Sequence, residues 1–525
     1  MLPVRATTTS IAAVIAACLL STSADAHKPL PWQRGPHLGP YRAAFTAPAG
    51  TKSGTWQALA NPFTANGFPD TAVLLTDGTV LMHSGCTPRW YKLTPDSHGS
   101  YVNGTWTATA TMPSAYRPLY FASQVLADGR LIVNGGEYLK CESTWTTLGA
   151  LYDPVADKWT AVAPPTGWTT IGDAQSVVRP DKTYMLANCC GATFGAGPEA
   201  ALASISGTTV TWTPTGTGKA DDYDEEGWTL LPDQTIVTVD ANRDLGGSFN
   251  DSEIYSAGCG CWTGGKPTKN SVVDAGSHEL GPAPLLPNGL VFQIGATGHN
   301  DVYSPLTGKW TAAPDFPMVD GLLDSADGPA AVLPNGRILA QVSPGVFNPP
   351  SHFFEIAVNG PSKVTMTQVS EPASAPGQTS YEGRMLVLPT GQVFWTSDVG
   401  DIEIYTPAGL PQAAWMPTIT KAPGFVVRGS TGNVVHGTLF NGLSFGGYYG
   451  DDAQMATNYP IVRITNIASG SVCYARTHDH ATMGISDGGP TSTKFDVPTT
   501  CDPGKSTLVV VANGIASAPV AVKVN

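Results

Sequence analysis

The sequence predicts an all-β protein: a seven-bladed β-propeller followed by a C-terminal immunoglobulin-like β-sandwich. Three observations predict it. The composition is turn-rich and weakly charged, with 58 Gly, 44 Pro and only 13% charged residues. Tryptophans that end short polar runs recur at positions 56, 106, 159, 212, 262, 310 and 415. Between them recur tight turns of the Asp-Gly or Asn-Gly kind set between apolar runs, the strongest short signature of a β-hairpin.

Taken in order, residues 1–26 read as an export signal. Arg5 precedes an apolar run from Ile11 to Leu20, and Ala24-Asp25-Ala26 fits an A-x-A cleavage site. The run is short for a membrane anchor, which is the alternative. The mature chain is then expected to be secreted or periplasmic, and no later stretch is long and apolar enough to span a bilayer. Cleavage would leave His27 at the N-terminus, where amine and imidazole could chelate copper. The alternative is an idle residue on a Pro-rich leader, residues 27–52.

Eight cysteines remain after Cys18 leaves with the signal, and an even count in an exported chain reads as disulfides. Cys473 with Cys501 is the first pairing expected and Cys86 with Cys141 the second. Cys189-Cys190 and Cys259/Cys261 could cross-link or close on themselves, and neither has zinc-site spacing.

The repeat fills residues 53–415. Successive tryptophan gaps are 50, 53, 53, 50 and 48, then 105, two periods with one Trp missing. The turns fall at Asp77-Gly78, Asp128-Gly129, Asp181-Lys182, Asp233-Gln234, Asn288-Gly289, Asn335-Gly336 and Thr390-Gly391. Third strands follow in several units, as in Leu151-Tyr-Asp-Pro and Ile404-Tyr-Thr-Pro. A four-stranded unit of roughly 50 residues repeated in this way is a kelch-type β-propeller. The strand ending at Trp56 precedes the first hairpin and is placed to close the ring. Residues 416–525 alternate apolar and polar, as in Pro460-Ile-Val-Arg-Ile464, and are read as the sandwich.

In a propeller the first strand of each blade lines a central channel, its start at one mouth and its turn at the other. Counting back about eight residues from each turn gives Asp70, Tyr120, Asp173, Glu225, Glu279, Asp327, and Tyr381 with Glu382. The second strands bring Tyr138, Arg243, His299 and Asp398 toward the same rim. Tyr138 suits a sugar ring as a platform, or is mere packing. A solvated rim of strand-start acids is the alternative to a site. Carboxylates facing one another cannot all stay ionised unpaired, however. They need a cation, a basic ligand or a proton. The net charge of −13 argues against nucleic acid and anionic membrane as partners.

With these residues in place the chain resembles the galactose oxidase and glyoxal oxidase-like kelch family, copper-radical oxidases with a C-terminal sandwich. Tyr120 matches the tyrosine that the family cross-links to a cysteine, and Tyr381 its axial tyrosine. Tyr138 sits where the family stacks an aromatic over its radical. The run Arg476-Thr-His478-Asp-His480 matches the loop that lowers a histidine into the channel, His478 best and His480 next. Two positions depart from the pattern. Glu382 stands where the family has a histidine after the axial tyrosine, and Gly67-Phe68-Pro69-Asp70 carries no sulfur for the cross-link. The copper-radical motif is therefore incomplete, and an oxygen-rich set suits calcium, magnesium or manganese better than copper.

Three functions follow as expectations. The first is a small polar or carbohydrate ligand handled without radical chemistry, as by a lyase or hydrolase. Tyr381 or His478 would move protons, with Glu382, Glu225 or Asp173 as acid, base or metal ligand. The second is a copper oxidase of sugar alcohols or aldehydes, its metal on Tyr381, Glu382 and His478. The third is a non-catalytic interaction protein. A monomer is expected in each case.

Overall fold

The computed structural model describes residues 53–65, 67–190, 200–242, 250–448 and 457–525. The export signal, the leader with His27, and Arg243 lie outside them. The described residues are all-β apart from short 3₁₀ turns, and no helix among them is long and apolar enough to cross a membrane.

Eight small antiparallel sheets precede the C-terminal one among the described residues, most of them meanders running outward from a buried inner edge. Strands Pro69–Leu74, Ala122–Val125, Ser176–Val178, Thr229–Leu230, Ala330–Val332 and Gly383–Val387 form that edge in six sheets. In the sheet of Val291–Ile294, Asn300–Ser304 and Lys309–Ala313 a single bridge from Leu285 to Val291 takes its place. Inner strands pack side by side, Pro69–Leu74 against Gly383–Val387 and Ala122–Val125 against Ser176–Val178. The N-terminal strand Thr55–Ala58 pairs with Ile402–Thr406 and so completes the sheet formed last in the chain. A ring of radial meanders closed by its own N-terminus is a β-propeller.

The hairpins are in phase. Gly78, Gly129, Lys182, Gln234, Gly289, Gly336 and Gly391 all hold a left-handed backbone, with φ between 71° and 83°. The tryptophan period also has a physical cause. Three of the indoles bond to the preceding sheet: Trp212 Nε1 donates to Ala163 O, Trp310 Nε1 to Ser252 Oγ and Trp56 Nε1 to Ser370 O. Trp415 does not belong to this set. It ends a 3₁₀ turn, because Thr55–Ala58 already occupies the outer place beside Ile402–Thr406. The gap of two periods is thus a coincidence of spacing.

From Thr418 to Val524 a nine-stranded sheet forms, its strands sharing a core of Val435, Ile464, Phe495, Val510 and Val522. It docks on the hairpin turns of the propeller. Thr477 N–H donates to Thr76 O, His480 N–H to Ala127 O and Met483 N–H to Pro180 O. Four cysteine pairs stand at disulfide distance: Cys86 with Cys141, Cys189 with Cys190, Cys259 with Cys261 and Cys473 with Cys501.

One segment of the C-terminal region leaves this face and enters the ring. Phe445 and Leu285 exchange backbone hydrogen bonds, and the Tyr448 hydroxyl donates to Ser176 O. On the returning limb the Tyr459 hydroxyl donates to Leu74 O. Gly447 lies so close to Pro282 and Pro284 that a Cβ would come within 2.9 Å of each, so only glycine passes there. Phe445 and Tyr459 border a cavity of about 20 Å³ against the inner-strand residues Val125, Val178 and Leu230.

Candidate functional site

The inner strands begin at the mouth away from the turns, and the chain enters them through a repeated kink. Tyr120, Gly172, Glu225, His278 and Asp327 all have positive φ, between 51° and 66°. Four of the five are not glycine, and a left-handed residue with a side chain costs about 1–2 kcal/mol. Strain of this kind concentrates where side chains must be aimed.

On one side of the mouth the aimed groups are aromatic. Tyr120, Tyr138 and Tyr381 are buried together with Leu119, and Phe68, Phe347, Cys86 and Cys141 are half-buried against them. The Tyr120 and Tyr138 rings meet edge to face at 5.9 Å, and Phe347 meets Tyr381 likewise at 5.0 Å. Arg384 holds this wall together. Its Nη1 donates to the carbonyls of Tyr381 and Gly383 at 2.5 and 2.9 Å, and its Nη2 pairs with Asp70 at 3.2 Å. Its guanidinium lies 5.6 Å from the centre of the Tyr120 ring.

The other side is acidic. One carboxylate oxygen from each of Glu225, Glu279 and Asp327 lies within 4.8 Å of the other two. Oxygens on opposite sides of a calcium ion stand about 4.6–5.2 Å apart, so the spacing fits a hard cation. Asp224 continues the acidic wall. Burial, with Glu225, Asp173, Asp222 and Glu137 around it, pushes its carboxyl well above the usual range. Burial and Asp221 raise Asp222 to about 6. Burial raises Asp324 to about 8, with Asp274 adding to it. In each case burial favours the protonated form of the carboxyl.

The structure separates several residues that the sequence placed together. Tyr120, Tyr138 and Tyr381 share one wall, and Asp173 and Glu225 flank Asp224 on the other. His478 is at neither. It ends strand Val472–His478 on the turn face, where its two ring nitrogens face Asp479 at 3.2 Å and Asp496 at 3.1 Å. The length of the inner strands separates it from Tyr381 and Glu382, so the expected metal set of Tyr381, Glu382 and His478 is not assembled. The segment that enters the channel is the one carrying Phe445 and Tyr448, not the Arg476–His480 run. His480 is buried against Thr493, and burial lowers it to about 3, so it is neutral. Glu382 accepts the Thr379 N–H at 2.7 Å and so caps its own 3₁₀ turn.

Other rim residues also differ from expectation. Asp70 is an ion-pair partner within the wall. Burial alone would raise it, but its hydrogen bond from His83 and the Arg384 guanidinium hold it below the ordinary carboxylate range. His299 is exposed and pairs with Asp315. Asp398 N–H donates to Glu382 O, which puts it beside the mouth.

Sequence reasoning missed Arg384, Asp224 and Glu137. The acidic run Asp221-Asp222-Tyr223-Asp224-Glu225-Glu226 was a signal for Asp224. Nothing in the sequence pairs Arg384 with Asp70, which lies 314 residues away.

No family model matches the chain. It is 25% identical over 278 residues to Kelch-like protein terF of Aspergillus terreus (strain NIH 2624 / FGSC A1156), a match covering 47% of this chain and 56% of that protein. The chain therefore spans little more than half the length of the curated relative it matches. Among solved structures it is similar to YjhT, with a TM-score of 0.39 and 13% identity over 59% of this chain and 99% of that one. It is also similar to the WD40 β-propeller domain of Doa1, with a TM-score of 0.40 and 10% identity over 67% and 97%. The repeated hairpins and the ring of sheets make this chain a β-propeller, and part of its sequence is similar to that of a Kelch-like protein.

Proposed function

We propose that the chain is an exported, seven-bladed kelch propeller with a galactose oxidase-like C-terminal sandwich, and that its acidic mouth takes a carbohydrate by non-radical chemistry. The observation that carries this is the convergence of Glu225, Glu279 and Asp327. Three carboxylate oxygens within 4.8 Å of one another match the ligand separations of a hard cation. A calcium or manganese ion held there would supply Lewis-acid polarisation of a ligand oxygen. The protein's own part is to place hydroxyls. Ionised carboxylates accept from sugar O–H groups, and Asp224, whose burial favours the protonated form, stands beside them. Tyr381 is the residue we assign to proton transfer, with Asp173 and Glu225 as its acidic partners.

Cation binding provides the test. Calorimetric titration of the metal-free protein with calcium and with manganese should give one site, weakened about tenfold or more by Glu279→Gln and by Asp327→Asn and unchanged by His478→Ala. Equal binding by parent and both variants would end the metal reading. Chemistry is tested separately, by screening glycans for cleavage with Tyr381→Phe as the variant expected to lose it. Ligand binding without turnover in the parent would favour a non-catalytic interaction protein instead.

A further inference from the structure

We propose that Cys189, Cys190 and Asp224 form a redox-gated site for a thiophilic cation such as Zn²⁺ at the edge of the mouth.

A disulfide stabilises a fold mainly by closing a loop in the unfolded chain, and longer loops gain more. Cys86–Cys141 and Cys473–Cys501 span 55 and 28 residues and act as staples. Cys189–Cys190 joins neighbours in sequence, a separation of 1, and closes almost nothing. Its position therefore needs another cause.

That position is specific. Cys189 N–H donates to Ile171 O at 3.0 Å, which pins the pair beside the Gly172-Asp173 kink of the mouth. A Cβ on Gly172 would come within 2.5 Å of Cys189 Sγ and 3.0 Å of Cys190 Sγ, so the kink leaves room for both sulfurs. Cys190 Sγ lies 3.2 Å from Asp224 Oδ1. The two sulfurs and a carboxylate oxygen are all within 4.8 Å of one another. Two thiolates and a carboxylate are a three-ligand set that zinc accepts, with Zn–S bonds of about 2.3 Å and a fourth position left for water.

Opening the site takes a reductant, here a small thiol. Two thiol molecules supply two electrons and two protons. The Cys189–Cys190 bond breaks, two S–H groups form, and the reductant leaves as its own disulfide. Cation binding then releases both thiol protons and any proton on Asp224, and leaves two thiolates with the Asp224 carboxylate as ligands. While the disulfide is closed the sulfurs are not available as thiolates. The inference does not depend on the carbohydrate reading: it shares Asp224 with the acidic wall, but its sulfur ligands and its metal class are its own.

Cadmium is the probe, read by its thiolate-to-metal charge-transfer band in the ultraviolet. The full chain with Cys259→Ser and Cys261→Ser, which removes the other short pair, is reduced with a small thiol, freed of it without air, and titrated. One cadmium should bind per chain, with the band of two thiolates. Unreduced protein should show no band, and Cys189→Ser with Cys190→Ser should lose it. Asp224→Asn, of the same shape, should weaken binding about tenfold or more, and Asp224→Glu should restore part of it. Mass spectrometry of alkylated peptides identifies which thiols the metal protects, and near-ultraviolet dichroism shows that each variant is folded. Protection of cysteines other than 189 and 190, or affinity unchanged in a folded Asp224→Asn protein, would overturn the proposal.

Discussion

Lys219→Met should remove about 3–5 kcal/mol of stability, the cost of deleting one partner from a buried ion pair. The ammonium is 6% exposed and neutralises four carboxylates at once. Glu226, Glu253 and Asp240 lie 2.7, 2.8 and 3.1 Å away, and Asp221 is in direct contact. Burial would lower the lysine, but these four acids hold it well above its ordinary range. Methionine fills similar volume and carries no charge, so the loss isolates the electrostatic part. A second variant that adds Asp240→Asn should recover part of the loss. Denaturant midpoints followed by tryptophan fluorescence measure both, and Trp262, whose ring lies 5.9 Å from the ammonium, reports locally. A Lys219→Met protein within about 1 kcal/mol of the parent would mean that the acids are neutral without it.

The same cluster fixes a pH dependence. Burial raises Asp240 to about 8, with Lys219 opposing and Asp221 and Glu253 adding. The folded chain therefore binds a proton that the unfolded chain has released above its ordinary 3.8. Stability falls where the folded state holds more protons, so it should decline as pH rises from about 4 to about 8. Asp240→Asn should flatten that decline. Asp70 acts with the opposite sign. Its carboxyl is held low, and its contribution is lost only as pH drops below the ordinary carboxylate range.

The repeat was legible because its causes are local. A turn needs a left-handed residue, and Gly after Asp or Asn announces it. Even Lys182 and Gln234 could be placed by phase alone. Counting back from those turns located Glu225, Glu279 and Asp327, whose carboxylates meet. The same count gave Asp70, whose partner is set by a neighbouring sheet and leaves no local trace. His478 misled for a related reason. Arg476 and His478 share one face of the strand Val472–His478, but strand alternation does not say which segment of a domain leaves its sheet. The segment that does so carries Phe445, Gly447 and Tyr448, residues chosen for fit against Pro282, Pro284 and Ser176, and fit is a property of the folded ring.

Arg384→Met should be the second most damaging change, at about 3–5 kcal/mol. It leaves Asp70, 2% exposed, with His83 at 3.3 Å as its remaining ion-pair partner, and takes the Nη1 donor from the Tyr381 carbonyl. Arg384→Lys should recover only part of this. An ammonium keeps the charge, but it lacks the flat fork that reaches Asp70 and two carbonyls while lying near the Tyr120 ring. A double-mutant cycle with Asp70→Asn separates the pair from the rest, and its coupling should fall at about 0.5–3 kcal/mol. The near-ultraviolet dichroism of the tyrosines should change with Arg384→Met, since the residue sets where Tyr120 and Tyr381 stand. Cation binding on the acidic wall should not, because Glu225, Glu279 and Asp327 come from other sheets. If instead the cycle is additive and the tyrosine spectrum is unmoved, Arg384 is an ordinary buried ion and the aromatic wall is held by packing alone.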